Sequence, residues 1–181
     1  MSVSEPIIPD DNRILYFTRD RAAFRFLSHF FPASILMDGE TWATVEHYYQ
    51  AQKSQDPAYR QAIRNALSPG MAKRLAAPPH APRRVSGQSW FRKNGDVPRL
   101  DWHEVKLGIM RGADLAKFTQ HGELGEMLLA TGDAELIEDS PAEPYWGTGS
   151  DGKGLNWAGR VLMEVREQLR AREVAASDPG R

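Results

Sequence analysis

Apolar residues gather in short runs through the first third of this chain and settle into helical spacing beyond it. Ile14-Leu15-Tyr16-Phe17 and Phe24-Arg25-Phe26-Leu27 read as two short strands, the second broken off by Ser28-His29-Phe30-Phe31-Pro32. Ile35-Leu36-Met37 and Glu40-Thr41-Trp42 flank Asp38-Gly39. That dipeptide supplies the positive φ angles of a two-residue reversal, so Ser34–Thr44 is predicted as a hairpin. The hairpin feeds a helix over Thr44–Lys53, with Thr44 as its cap. On that helix Val45, Tyr48, Tyr49 and Gln52 share one face, and Glu46, Tyr49, Gln50 and Lys53 share the adjoining one. A short structural helix would place aliphatics inward. This one offers hydroxylated rings and amides, a surface suited to a flat polar ring.

Further on, Asp56-Pro57 and Ser68-Pro69 each pair a capping side chain with a proline at the first helical position. They predict helices over 57–67 and from 69 to 75 or 76. Pro78–Arg99 reads as a long solvated loop carrying Arg83, Arg84, Arg92, Lys93 and Arg99 around Trp90-Phe91. The competing reading is a lid whose rings and cations meet an anionic ligand. Asp101-Trp102-His103-Glu104 has the form of a capping box. The helix after it turns Trp102, Val105, Ile109, Met110 and Ala113 inward and runs to about Phe118. A helix over Gly122–Ala130 ends at Gly132, Glu135–Glu138 forms a short strand, and Asn156 caps a last helix with Ala158, Val161, Leu162, Val165 and Leu169 inside. The predicted fold is α+β and predominantly α-helical, a small antiparallel N-terminal sheet packed against five or six helices. One domain spans 13–170, between a loose lead-in at 1–12 and a frayed tail at 171–181.

Composition removes whole classes of chemistry. The chain has 181 residues, with 23 basic side chains against 24 acidic ones, so no global field draws nucleic acid. It has no cysteine, which excludes disulfides, thiolate catalysis and cysteine-bound metal. Its five histidines, His29, His47, His80, His103 and His121, form no H-x-x-x-H pair, so no metal site is expected. There is no G-x-S-x-G elbow, and neither a Walker loop nor a dinucleotide fingerprint, so no cofactor is expected. The first residues lack the basic and apolar regions of a signal peptide. No apolar run approaches the roughly 20 residues that span a bilayer. These features predict a cytoplasmic protein with no membrane partner.

Carboxylate chemistry with aromatic and amide recognition is what remains. Glu46 falls in a first helical turn, where an acidic residue also simply complements the helix dipole. The other candidates are Asp133, Glu138, Glu143 and Asp151; Asp133 and Glu138 read most simply as turn and strand-edge residues. The second informative stretch is Tyr145-Trp146-Gly147-Thr148-Gly149-Ser150-Asp151-Gly152-Lys153-Gly154-Leu155-Asn156. A glycine loop running into a helix N-terminus is a common phosphate seat, formed by backbone amides and the helix dipole. Its bland alternative is an ordinary long turn. Tyr145-Trp146 adds a rigid aromatic edge for stacking on a base or sugar.

V-E-H-Y-Y-Q-A-Q-K at Val45–Lys53, D-W-H-E-V-K at Asp101–Lys106, K-F at Lys117–Phe118, T-G-D at Thr131–Asp133, Y-W-G at Tyr145–Gly147 and N-x-x-G at Asn156–Gly159 occur in that order. The set resembles the YbiA-like or NADAR family, and the resemblance covers about Phe26 to Leu169. It implies hydrolysis of an N-glycosidic bond between a phosphorylated ribose and a nucleobase-like ring. Some members act on ribosylamino-pyrimidine 5′-phosphates, intermediates of riboflavin synthesis; others remove ADP-ribose from modified guanine. The resemblance places the essential glutamate on Glu46 and an important tryptophan on Trp146. Two positions depart from it. Thr148 follows Y-W-G where some relatives carry Asp, which leaves Asp151, three residues on, as the third catalytic candidate. Ser28-His29-Phe30 stands where many carry S-N-F.

The substrate-contacting set expected beside these is Tyr48, Tyr49, Gln50, Lys53, Tyr145, Gly147, Thr148, Gly149, Gly152, Lys153, Gly154 and Asn156. The phosphate is expected on the Gly147–Gly154 amides, helped by Lys153 or Arg160, and the Glu46 helix is expected beside that loop in space. ADP-ribosylated guanine, with nucleic acid as a partner only in that case, and a non-catalytic ADP-ribose-binding module stand as alternatives.

Overall fold

The computed structural model describes residues 8, 10–17, 22–82 and 87–177. The fold is α+β and mainly helical. The chain separates into two compact units: a continuous one, Pro32–Lys117, and one built from both ends, Met1–Phe31 with Phe118–Arg181. Arg83 and Arg84 of the expected basic loop lie outside the described residues, as does most of the expected 1–12 lead-in.

The continuous unit opens with the hairpin. β2 (Ile35–Met37) pairs antiparallel with β3 (Glu40–Trp42) in the register Ile35↔Trp42. Asp38 and Gly39 take φ of 54° and 76°, the left-handed pair that closes a two-residue loop. Helices α1 (Val45–Ala51), α2 (Pro57–Arg64) and α3 (Pro69–Leu75) follow. Their caps are those the sequence predicts: Thr44, Asp56 and Ser68 each accept a backbone amide in the first turn. The expected loop Pro78–Arg99 instead contains a short helix, α4 (Trp90–Asn94), capped by Ser89 and ended by left-handed Gly95. Phe91 is fully buried against Tyr59, with ring centroids 4.9 Å apart, and Trp90 lies 6.1 Å from the same ring. These aromatics are core, not a lid. Arg92 reaches the Pro79 and Ala81 carbonyls, and Arg99 pairs with Asp101, so those cations hold the segment to itself. Helix α5 (Trp102–Gln120) carries the chain out of this unit.

In the other unit β1 (Arg13–Tyr16) pairs parallel with β4 (Glu135–Glu138), Ile14 opposite Leu136. The antiparallel pairing predicted for the N-terminal third is thus confined to the hairpin. Phe24–Leu27, expected as a strand, lies in a 3-10 helix over Ala22–Leu27. Its alternation of buried Phe24 and Phe26 with exposed Arg25 imitates a strand, but the chain keeps turning through Ser28 N–H to the Arg25 carbonyl and Phe31 N–H to the Ser28 carbonyl. Helix α6 (Gly122–Leu129) leads into β4 through left-handed Gly132. Helix α7 (Trp157–Ser177) packs on β4 and continues past Ala171, where fraying was expected. The T-G-D segment fastens α6 to α7. Buried Arg166 donates to Thr131 Oγ1 at 2.7 Å and to the Ala134 carbonyl at 3.0 Å, and Arg170 pairs with Asp133. Among the described residues no helix is long and apolar enough to cross a membrane.

Candidate active site

Helix α1 holds the first group. Thr44, extended at φ −152°, accepts the His47 amide and meets His47 Nδ1 at 2.8 Å, while His47 Nε2 lies 3.1 Å from the Ala66 carbonyl. The buried imidazole therefore pins the helix start to the chain after α2. Glu46, one residue earlier, is only 6% exposed. Gln50 Nε2 donates to Glu46 Oε1 at 2.8 Å, and no ion pair to Glu46 forms among the described residues. Among the described residues, the buried Glu46 carboxyl thus faces one neutral donor and makes no ion pair.

The remaining side chains of the motif divide differently from expectation. Tyr48 is buried edge-on against Trp42, and its hydroxyl donates to Asp38 across the hairpin turn. Burial, reinforced by that carboxylate, pushes the Tyr48 hydroxyl up to about 12. Tyr49 packs on Trp102 at 4.9 Å, and Lys53 lies over the same indole while donating to the Ala76 carbonyl. These contacts tie Tyr48, Tyr49 and Lys53 to neighbours within their own unit. Glu46 and Gln50 are the pair that the structure joins directly.

The second group is the Tyr145–Asn156 segment. Trp146 meets Tyr145 edge-on at 5.1 Å and His29 at 6.4 Å, and Tyr145 is tilted against Trp157 at 6.4 Å. Burial pushes the Tyr145 hydroxyl up. The Arg160 guanidinium lies 5.2 Å over the Trp157 ring. Sequence reasoning passed over His29 and Trp157 as contributors to this aromatic cluster. The signal for His29 was its departure from S-N-F; Trp157 had only its place beside the cap residue.

The loop's amides are turned inward. Gly147 N–H donates to the Glu143 carbonyl, Thr148 to Glu138, Gly149 to Ser140, Gly154 to Thr148 and Leu155 to Pro144. Asn156, Trp157 and Ala158, at the entrance to α7, donate to the carbonyls of Gly147, Tyr145 and Trp146. Within Gly147–Gly154 the amides of Gly147, Thr148, Gly149, Gly152 and Gly154 are thus engaged by carbonyls and that of Lys153 by Asp151, while those of Ser150 and Asp151 at the tip make no such bond among the described residues. The glycines answer to packing instead. A Cβ on Gly147 would lie 2.7 Å from the Glu138 carbonyl, and one on Gly154 would lie 2.2 Å from the Gly147 carbonyl.

Asn156 is the anchor of this arrangement rather than a helix cap. Its Nδ2 donates to the Leu136 carbonyl at 2.9 Å and its Oδ1 accepts the Glu138 amide at 3.0 Å, so both ends of the carboxamide bind strand β4. Asp151 stands at the exposed tip, with Oδ1 accepting the Lys153 amide at 3.0 Å, a local turn contact. Gly152 is left-handed at φ 73°, and Gly152 and Lys153 are exposed beside it.

The NADAR domain matches residues 16–170, and the chain belongs to that family. It is 45% identical over 142 residues to N-glycosidase YbiA of Escherichia coli (strain K12), covering 78% of this chain and 79% of that protein. It is 38% identical over 155 residues to riboflavin biosynthesis protein VVA0006 of Vibrio vulnificus, covering 86% of this chain and 38% of that protein. The solution structure of E. coli YbiA superposes with a TM-score of 0.71 at 38% identity, covering 89% of this chain and 86% of that one. The chain is thus a hydrolase of the N-glycosidase class.

Proposed function

We propose that this enzyme hydrolyses the bond between the anomeric carbon of a 5-phosphorylated ribose and the exocyclic nitrogen of an aminopyrimidine, an intermediate class of riboflavin synthesis. The observation that carries the reading is Glu46: buried, fixed by Gln50, and without an ion pair among the described residues. As the C–N bond lengthens, the ribose ring gains positive charge. A carboxylate aimed at that charge stabilises the transition state, or takes a proton from the attacking water. Water adds to the anomeric carbon, the nitrogen leaves with its bonding pair and a proton, and the products are ribose 5-phosphate and the free aminopyrimidine. Trp146 is proposed to stack on the departing ring. With most of the loop amides engaged internally, exposed Lys153 and Arg160 are the proposed phosphate contacts. The relative named for riboflavin biosynthesis supports this substrate class over ADP-ribosylated guanine.

The test is direct product detection. Wild type and Glu46→Gln are incubated with a ribosylamino-pyrimidine 5′-phosphate and, separately, with ADP-ribosylated guanine, and the released base is quantified. Wild type is expected to turn over the pyrimidine substrate. The Gln variant is expected to stay folded and lose on the order of a hundredfold or more in kcat. Undiminished turnover by the variant removes Glu46 from the mechanism. Release from the guanine substrate alone replaces the proposed substrate.

A further inference from the structure

Gln50 has an unusual accounting of its polar atoms. It lies one helical turn after Glu46 on α1 and is 4% exposed. Its Nε2 donates to Glu46 Oε1 at 2.8 Å. Its Oε1 is sealed from solvent without a hydrogen-bond partner. Its backbone carbonyl is fixed from α2 by the Tyr59 hydroxyl at 2.8 Å. A buried amide oxygen without a donor is destabilising. The amide is oriented by its one strong contact, since an ionised carboxylate only accepts and so selects the NH2 end.

We infer that Gln50 is a positioning residue for the reaction. It clamps one carboxylate oxygen of Glu46 so that the charge is presented in a single geometry, and its own contact with substrate is not required. The inference rests on the reading of Glu46 given above. Among the described residues no charged group pairs with Glu46 from the elements around α1, which packs against α2, α3 and β3 and, through Tyr49 on Trp102, meets the start of α5 with its His103, Glu104 and Lys106. On α2, Arg60 donates to Gln52 Oε1 and pairs with Glu40, and Arg64 pairs with Glu40. On α3, Lys73 and Arg74 are exposed, with Arg74 bonded to Gln88. On β3 the acidic side chain is that same Glu40. On α1 itself, His47 is held by Thr44 and Ala66, and Tyr48 by Asp38; Lys53, just beyond it, is held by Ala76.

Two variants separate this role from its alternatives, assayed with the ribosylamino-pyrimidine 5′-phosphate. Gln50→Leu removes the donor and keeps the volume. We expect kcat to fall tenfold or more with KM changed by less than about threefold, the pattern of an interaction that matters in the transition state. Gln50→Glu puts a second carboxylate against Glu46. Like charges at that distance cannot both ionise freely, so the acid limb of the kcat–pH profile is expected to move up by about one pH unit or more. A purely structural glutamine would lower thermal stability in the Leu variant and leave its kcat at the wild-type value.

The third readout needs no variant of Gln50. In wild-type protein labelled at glutamine side chains, the Gln50 Nε2 resonance is expected to titrate with pH, and that titration is expected to vanish in Glu46→Gln. Three outcomes overturn the inference: a Leu variant with wild-type kcat, a Leu variant altered only in KM, or a Gln50 amide signal insensitive to pH. If Glu46→Gln is itself fully active, the functional reading has failed. If Glu46→Gln is inactive and Gln50 behaves as in any of those three outcomes, only the positioning role has failed.

Discussion

Gly159 sits in the first turn of α7, where α7 crosses β4. On helix propensity alone, Gly159→Ala should stabilise the protein by up to about 1 kcal/mol. The structure predicts the opposite. An ideal Cβ at 159 would stand 1.9 Å from the Leu136 carbonyl and 2.7–2.8 Å from both polar atoms of the Asn156 carboxamide. Real contacts of this kind do not fall below 3.0 Å, so helix and strand must part by about 1.1 Å at this point. Neither neighbour can yield cheaply, because the carbonyl belongs to strand backbone and the carboxamide holds two hydrogen bonds to it. Overpacking of this sort costs about 1–3 kcal/mol, and weakening two part-buried hydrogen bonds adds about 1 kcal/mol each. Less the propensity gain, the net loss is about 3 kcal/mol, or about 6–12 °C in Tm for a chain of this size. Urea titration and calorimetry measure it. A variant as stable as wild type, or more so, would refute the argument that N-x-x-G is a packing motif.

Asn156→Asp keeps the acceptor for the Glu138 amide and sets a carboxylate oxygen against the Leu136 carbonyl; a loss of about 1–3 kcal/mol is expected in urea unfolding, with activity reduced because the Tyr145–Gly147 carbonyls lose their seat. Lys117 is fully buried, and burial lowers its ammonium to about 8, with Asp114 opposing the shift. Its folded value lies below the unfolded one near 10.5, so the unfolded chain binds more protons between them. Wild-type stability relative to Lys117→Met is therefore expected to rise from pH 8 to about 10, read from urea midpoints; an unchanged difference would count against it. Tyr48 is raised to about 12, so its contribution is complete below about pH 10 and lost as pH climbs through 12. Tyr48→Phe should cost about 1 kcal/mol at neutral pH and less in strong alkali.

What could be read from the sequence was what neighbouring residues decide between themselves. Asp38-Gly39 closes its hairpin because two adjacent residues tolerate positive φ. Thr44, Asp56 and Ser68 cap their helices because a cap reaches only two or three residues ahead. Glu46 was placed correctly on α1 by the same local logic. Illegible were the choices made at a distance. Nothing near Arg13–Tyr16 announces a parallel partner at Glu135–Glu138, so an antiparallel sheet seemed natural. The glycine loop resembled an anion seat because its composition is shared by any loop whose backbone must pass close to another. Only the carbonyls of Glu138, Ser140 and Pro144, brought in by folding, show that several of its amides have partners inside the protein. Asn156 looked like a cap because it precedes a helix, yet its φ of 51° turns the carboxamide away from that helix and onto β4.

The interrupted path of the chain has a consequence for how the protein is made. Pro32–Lys117 is contiguous in sequence. Strand β1 is made well before its partner β4 and before the α7 helix that packs on β4. Until those residues follow, β1 has an open edge, a template for mispairing with other nascent chains. Its brevity and the charged Arg13 at its start keep that exposure short-range and poorly adhesive.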